Sequence, residues 1–129
     1  MEYSITPAEE HQYIYIRVVG DIDRDVSMRI NLEAHALGRR LGINTYWMDL
    51  TASCNRDTVL GNYHFAYRDM RETPGIDRSA RVLVLVAPAD HSHDFIETVA
   101  RNSGINLTLY RDRASLVNNL RSLGIMVDP

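Results

Sequence analysis

The sequence predicts an α/β domain: a single, mostly parallel sheet with an N-terminal β-hairpin and flanking helices, in the order ββαβαβαβα. Three observations predict it. Five consecutive residues from Val82 to Val86 are Val or Leu, the pattern of a strand whose two faces are both covered by helices. Segments with apolar residues at helical spacing alternate with short β-branched and aromatic runs. The first two strand-like runs instead follow one another across a short connection, as a hairpin requires.

Tyr3 to Thr6 and Tyr13 to Val19 form the hairpin, the second alternating Ile14, Ile16 and Val18 against Tyr13, Tyr15 and Arg17. Gly20 and Asp21 break that strand. From Arg24, the positions Val26, Ile30, Ala34, Leu37 and Leu41 repeat at helical spacing until Gly42, where a left-handed cap ends the helix. Ile43 to Leu50 is the next strand, and the polar stretch Thr51 to Thr58 is a loop. A second helix carries Val59, Tyr63, Ala66, Tyr67 and Met70 before Pro74 and Gly75 stop it. Arg81 to Ala87 is the central strand. Asp90 or Ser92 is positioned to cap a third helix bearing Phe95, Ile96, Val99 and Ala100, closed at Gly104. Ile105 to Tyr110 is the last strand, and Asp112 caps a final helix with Leu116, Val117, Leu120 and Leu123 before Gly124.

Composition excludes several function classes. The 129 residues match one domain, and with 45% hydrophobic residues the chain buries roughly two-thirds of its unfolded surface without staples. A net charge of −3 supplies no basic excess for a phosphate backbone, so nucleic acid is not an expected partner. The longest apolar run, Val82 to Ala89, falls short of the ~20 residues needed to cross a bilayer. A single cysteine, Cys54, forms no internal disulfide, and MEYSITPAEE lacks the order of a signal peptide; the expected compartment is the cytoplasm. All 14 basic residues are arginine, so a P-loop lysine, a Schiff-base lysine and a lysine general base are excluded together.

In an open α/β sheet, ligands and partners meet the loops that leave the carboxyl ends of the parallel strands. Those loops are Gly20 to Asp25, Thr51 to Thr58, Pro88 to Asp94 and Arg111 to Arg113. Asp21, Asp23, Asp49, Thr51, Ser53, Cys54, Thr58, Asp90, His91 and His93 are therefore expected along one edge. Asp90, His91, Ser92, His93 and Asp94 hold two imidazoles and two carboxylates, but side chains at a helix start diverge, and helix capping accounts for the same residues without a metal. No metal or cofactor is expected. Cys54 or Ser53, with His91 or His93 as base and Asp49 as orienter, composes a nucleophilic alternative. No glycine-rich nucleophile elbow surrounds either residue. Tyr63, Tyr67 and Met70 form one stripe of the second helix, read as core packing and, where exposed, as a protein interface or the wall of an apolar pocket.

Several segments resemble the STAS superfamily, in its SpoIIAA-like branch of stand-alone bacterial proteins. The resemblance covers nearly the whole chain. It rests on the opening hairpin, on Trp47-Met48-Asp49-Leu50-Thr51 as a strand ending in an Asp-Leu-Ser/Thr-like step, and on Arg81 to Val86 followed by a polar loop. The run His93 to Gly104, the strand after it and Tyr110-Arg111-Asp112 are similar to the end of such proteins. The resemblance implies a non-enzymatic regulatory module that docks onto a protein partner, switched in some members by phosphorylation of a Ser or Thr in the loop and helix start after the third strand. The family's phosphoacceptor sits in a short Asp-Ser-Ser/Gly-like run; here Asp49 to Thr58 departs from it and offers Thr51, Ser53 or Thr58. The resemblance, with the tyrosines Tyr3, Tyr13 and Tyr15 expected at the surface, also implies a homodimer. The branch resembles lipid carriers of the CRAL-TRIO type as well, which adds a small apolar ligand, held between the sheet and the Tyr63, Tyr67, Met70 helix, as an alternative. A small hydrolase or metal-binding protein is the second alternative.

Overall fold

A computed structural model describes residues 1–129. The strands β1 (Glu2–Pro7) and β2 (Ile14–Val19) pair antiparallel, and β2, β3 (Thr45–Ala52), β4 (Arg81–Val86) and β5 (Asn106–Tyr110) pair parallel, in the spatial order β1-β2-β3-β4-β5. The helix α1 (Arg24–Leu41) crosses from β2 to β3. From β3 to β4 the chain runs through α2 (Val59–His64), a π-helical turn (Phe65–Asp69) and α3 (Met70–Glu72), which form one continuous helical segment. Then α4 (Asp94–Asn102) joins β4 to β5, and α5 (Arg113–Ser122) follows β5.

Period-two alternation sorts the strand residues between two cores. Ile14, Ile16, Val18, Tyr46, Met48, Leu50, Val82, Val84 and Val86 face α1 through Ile30 and Ala34. Phe65, Ala66, Met70, Val99 and Ala100 add the α2–α3 segment and α4 to that side, and Leu107 contacts both groups. The opposite side belongs to α5, whose Leu116, Val117 and Leu120 cover Trp47, Leu83 and Leu85. Three crossovers on one face are what a uniform right-handed connection demands when strand order follows chain order. Residues Val82 to Val86 are each at most 7% exposed. The doubly covered strand read from the sequence is therefore present, with β3 rather than β4 in the middle position.

The structure corrects the sequence reading at four points that bear on the site. The strand β3 runs on through Thr51 and Ala52, because the Gly20 amide donates to the Ala52 carbonyl at 2.9 Å and continues the ladder past the end of β2. Neither Asp90 nor Ser92 caps α4. Its N-cap position is His93, which makes no side-chain capping bond; Asp90 instead closes a turn by accepting from the Ser92 amide at 2.9 Å. The π-helical turn lengthens the local repeat, so Met70 leaves the stripe that α-helical spacing gave it with Tyr63 and Tyr67. Lastly, Tyr13 is buried and Tyr3 and Tyr15 are half-buried, their hydroxyls donating to Glu33 at 2.7 Å and Asp49 at 2.8 Å, so this tyrosine group is not a free surface.

Candidate functional site at the loop edge

Backbone pairing joins the loops after β2 and β3. The Ile22 amide donates to Cys54 O at 2.9 Å, and the Arg56 amide donates to Ile22 O at 2.8 Å. Asn55 then links this pair to the loop after β4 and to α2. Its amide donates to Ser92 Oγ at 2.9 Å, its Nδ2 donates to Asn62 Oδ1 at 2.8 Å, and its Oδ1 accepts from the Asp57 amide at 3.0 Å. Asp57 in turn accepts from the amides of Arg24 at 2.5 Å and Thr58 at 2.8 Å, bridging the starts of α1 and α2. Gly61 permits this, since a Cβ there would overlap the Asp57 carboxylate. The Arg24 guanidinium forks onto Asp69, with Nη2 donating to Oδ1 at 2.8 Å.

None of Arg24, Asn55, Asp57, Asn62 and Asp69 was singled out from the sequence. The available signal was Asn62 itself, a polar residue one turn before the inward-facing Phe65 and Ala66. A buried polar side chain is the informative exception in a core.

The residues expected on this edge divide into three groups. Asp23 caps α1 by accepting from the Val26 amide at 3.0 Å, Thr58 caps α2 by accepting from the Gly61 amide at 2.9 Å, and the exposed Asp21 pairs with Arg56 at 3.3 Å. A second group lies beneath the edge: Ser53 and His93 are buried and Cys54 is half-buried. The His93 Nε2–H donates to the Ser53 carbonyl at 3.2 Å, which places the proton on Nε2, since a carbonyl only accepts. Asp90 Oδ2 lies 3.5 Å from the same nitrogen, an electrostatic contact longer than a good hydrogen bond. Burial alone would raise the Asp90 carboxyl; bonds from Ser92 and the charges of His93 and Arg111 hold it below the ordinary range.

Asp49 and Thr51 form the third group, away from the others. With Tyr15 and Arg17 they occupy the sheet face that α5 covers, where Asp49 accepts from Tyr15 Oη at 2.8 Å, Arg17 at 3.2 Å, and the Thr51 amide and hydroxyl at 3.0 and 2.7 Å. Asp49 therefore does not orient a histidine beside Ser53 or Cys54. His91 and His93 also diverge: His91 is exposed with Nδ1 at 2.8 Å from Asp94, itself bound by Arg111, whereas His93 is buried. No three His, Cys, Asp or Glu side chains converge as a metal site would need.

Two concavities adjoin the network. A cavity of about 60 Å³ lies between the sheet and the helices, walled by Met48, Val84, Leu107, Phe65 and Met70. A surface cleft of about 390 Å³ lies between the starts of α1 and α2, and the two meet at Asp23, Arg24 and Asp57. Of the Tyr63, Tyr67, Met70 stripe, only Met70 lines the cavity; the two tyrosine rings stack on each other outside it, centroids 4.5 Å apart. Beside the cleft, Val59, Leu60 and Tyr63 stand 69%, 63% and 47% exposed.

The chain thus folds as a five-stranded mixed sheet in chain order, with three helical segments on one face and one on the other. No family model matches the chain, and no curated protein matches it. Among solved structures it is similar to the anti-sigma factor antagonist SpoIIAA in its unphosphorylated form, at 13% identity and a TM-score of 0.56, with 98% of this chain and 100% of that chain covered. The resemblance read from the sequence is thus one of fold. No helix is long and apolar enough to cross a membrane.

Proposed function

We propose that this protein is a non-enzymatic regulatory module that docks onto another protein through the loop edge and the start of α2. The observation that carries the reading is the exposure of Val59, Leu60 and Tyr63 on one short helix whose first residue abuts that edge. Large apolar side chains grouped at a surface mark interaction sites. The carboxylates of Asp23, Asp25 and Asp57 line the adjoining cleft and supply a polar rim. The similarity in fold to an anti-sigma factor antagonist supports a role exerted on proteins rather than on small substrates.

Thr58 is the position at which phosphorylation would switch this surface. Its hydroxyl is at the exposed start of α2, whereas Ser53 is buried and Thr51 lies on β3, on the other sheet face. A phosphate there adds about 1.5 to 2 negative charges next to Asp57, opposing a partner that tolerates the unphosphorylated rim. The homodimer stays within this reading, supported by the resemblance alone.

Cross-linked capture from the source cells tests the proposal. Wild-type protein is expected to retain a specific partner that Leu60→Asp and Thr58→Glu both lose, while sedimentation reports whether the 14.7 kDa chain pairs with itself. Capture of no partner, together with ester or phosphate turnover abolished by changing Ser53, Cys54 or His93, would overturn it.

A further inference from the structure

The internal cavity has a chemical polarity that the docking surface does not use. Its deep wall is hydrocarbon and thioether: Met48, Val82, Val84 and Leu107 from the sheet, Phe65 and Met70 from the helical segment. Its other end, under the loop edge, is lined by Asn62, Asn31 and His93, at 9%, 7% and 1% exposure, with Asn55 and Asp57 beside them. A fully apolar void would stay empty and a fully polar one would fill with water; this one presents both surfaces to a single occupant. The wall that carries Phe65 is the π-helical turn, an unfavourable backbone form found frequently at functional sites. Two of the wall residues are methionines, whose flexible thioethers adapt to irregular ligands.

Charge at the mouth selects among amphiphiles. Arg24, the cation there, is paired with Asp69, and the carboxylates of Asp23 and Asp57, which accept only neutral backbone amides, keep their negative charge beside the opening. A ligand carboxylate would be repelled by them. We propose that the cavity is a binding site for a small apolar molecule with one uncharged hydrogen-bonding end, the apolar part against Met48 and Met70 and the polar end toward Asn62 and His93. About 60 Å³ accommodates roughly four to six water-sized groups, so the matching chemistry is a short alkanol or similar neutral amphiphile. This site is separate from the exposed α2 surface, and its occupation does not require a protein partner.

The test uses 1-butanol on the whole chain with methyl-labelled methionine, read by NMR. The methyls of Met48 and Met70 are expected to shift saturably, with a midpoint in roughly the millimolar range open to a ligand of about five non-hydrogen atoms. Those of the exposed Met1 and Met126 are expected to stay in place. Butyrate is expected to bind at least ~10-fold more weakly, given the two carboxylates at the mouth. Ala100, 1% exposed on the cavity wall, gives the filling variant: Ala100→Leu is expected to weaken the butanol response at least ~10-fold. Absence of a saturable shift at Met48 and Met70 in wild-type protein, equal shifts at Met1 and Met126, or a butyrate response matching that of butanol would each overturn the proposal. The wild-type readout stands even if Ala100→Leu does not fold.

Discussion

Asn55 and Asn62 are joined by a 2.8 Å amide hydrogen bond, and through it the loop after β3 is fastened to the helix that carries the exposed apolar residues. Because Asn55 also serves Ser92 and Asp57, its side chain and amide tie the start of α2 to the loop after β4, 37 residues further along the chain. The loop edge is thus a connected hydrogen-bonded unit, and its geometry is transmitted to Val59 and Leu60 through one turn of α2.

Asn55→Ala is expected to cost about 1–3 kcal/mol, the range for stranding buried polar partners, here Asn62 Oδ1 and the Asp57 amide. Urea unfolding measures the loss. Amide exchange at residues 53–62 is expected to accelerate more than exchange in β4, since the network is local; uniform acceleration would argue against that.

The imidazole of His35 is 2% exposed, stacks on Tyr46 at 4.7 Å and accepts the Asp77 amide at Nδ1, 2.8 Å away. Burial lowers its pKa below the ordinary 6.5, against the charge of Asp77 and with that of Arg39. Above about pH 6.5 the imidazole is neutral in folded and unfolded chains alike and the full stability is present. As pH falls below about 6.5 the unfolded chain takes up the proton first, so stability declines toward the folded-state pKa. Urea midpoints at neutral and mildly acidic pH are expected to show this decline in wild-type protein and to show less of it in His35→Phe.

Gly38 lies where α1 crosses Tyr46, and a methyl there would overlap the Tyr46 hydroxyl and sit 2.7 Å from Ile43 O. Burial pushes the Tyr46 phenol up to about 12, so it remains a protonated donor directed at Ile43 O. Gly38→Ala is expected to destabilise by about 1–3 kcal/mol through overpacking. Removing the hydroxyl in the same chain, Gly38→Ala with Tyr46→Phe, is expected to recover part of that loss; strict additivity in thermal or urea unfolding would refute the clash.

Burial would raise the Asp49 carboxyl, but bonds from Thr51 and Tyr15 and the charge of Arg17 outweigh it and hold the group below its ordinary 3.8. Its stabilising contribution is therefore complete above about pH 4 and lost as pH falls through the depressed value. Asp49→Asn is expected to cost about 1–3 kcal/mol at neutral pH and to flatten the acid limb of the stability curve. An unchanged acid limb would show that other carboxylates govern it.

Periodicity and chain order were enough to determine the elements and the class of fold. Val82 to Val86 announced a strand covered on both faces, the alternation of Ile14, Ile16 and Val18 announced an antiparallel hairpin strand, and Gly42 marked a helix end that the structure closes in the left-handed region at φ 71°. Those features are local, since apolar spacing of two or 3.6 residues encodes burial directly. The position of the loop edge followed from strand direction alone.

Only the tertiary structure decided which polar residues meet. Asp49 and Ser53 are four positions apart in sequence, yet Asp49 faces the α5 side and the Ser53 carbonyl meets His93 on the other, because an even step along a strand keeps a side chain on its face and the chain leaves β3 at Ala52. Arg24 and Asp69, or Asn55 and Ser92, are brought together by crossovers whose partners no local pattern names. The π-helical turn that parts Met70 from Tyr63 and Tyr67 likewise has no compositional signature: a shift of hydrogen-bond register is settled by what the helix packs against.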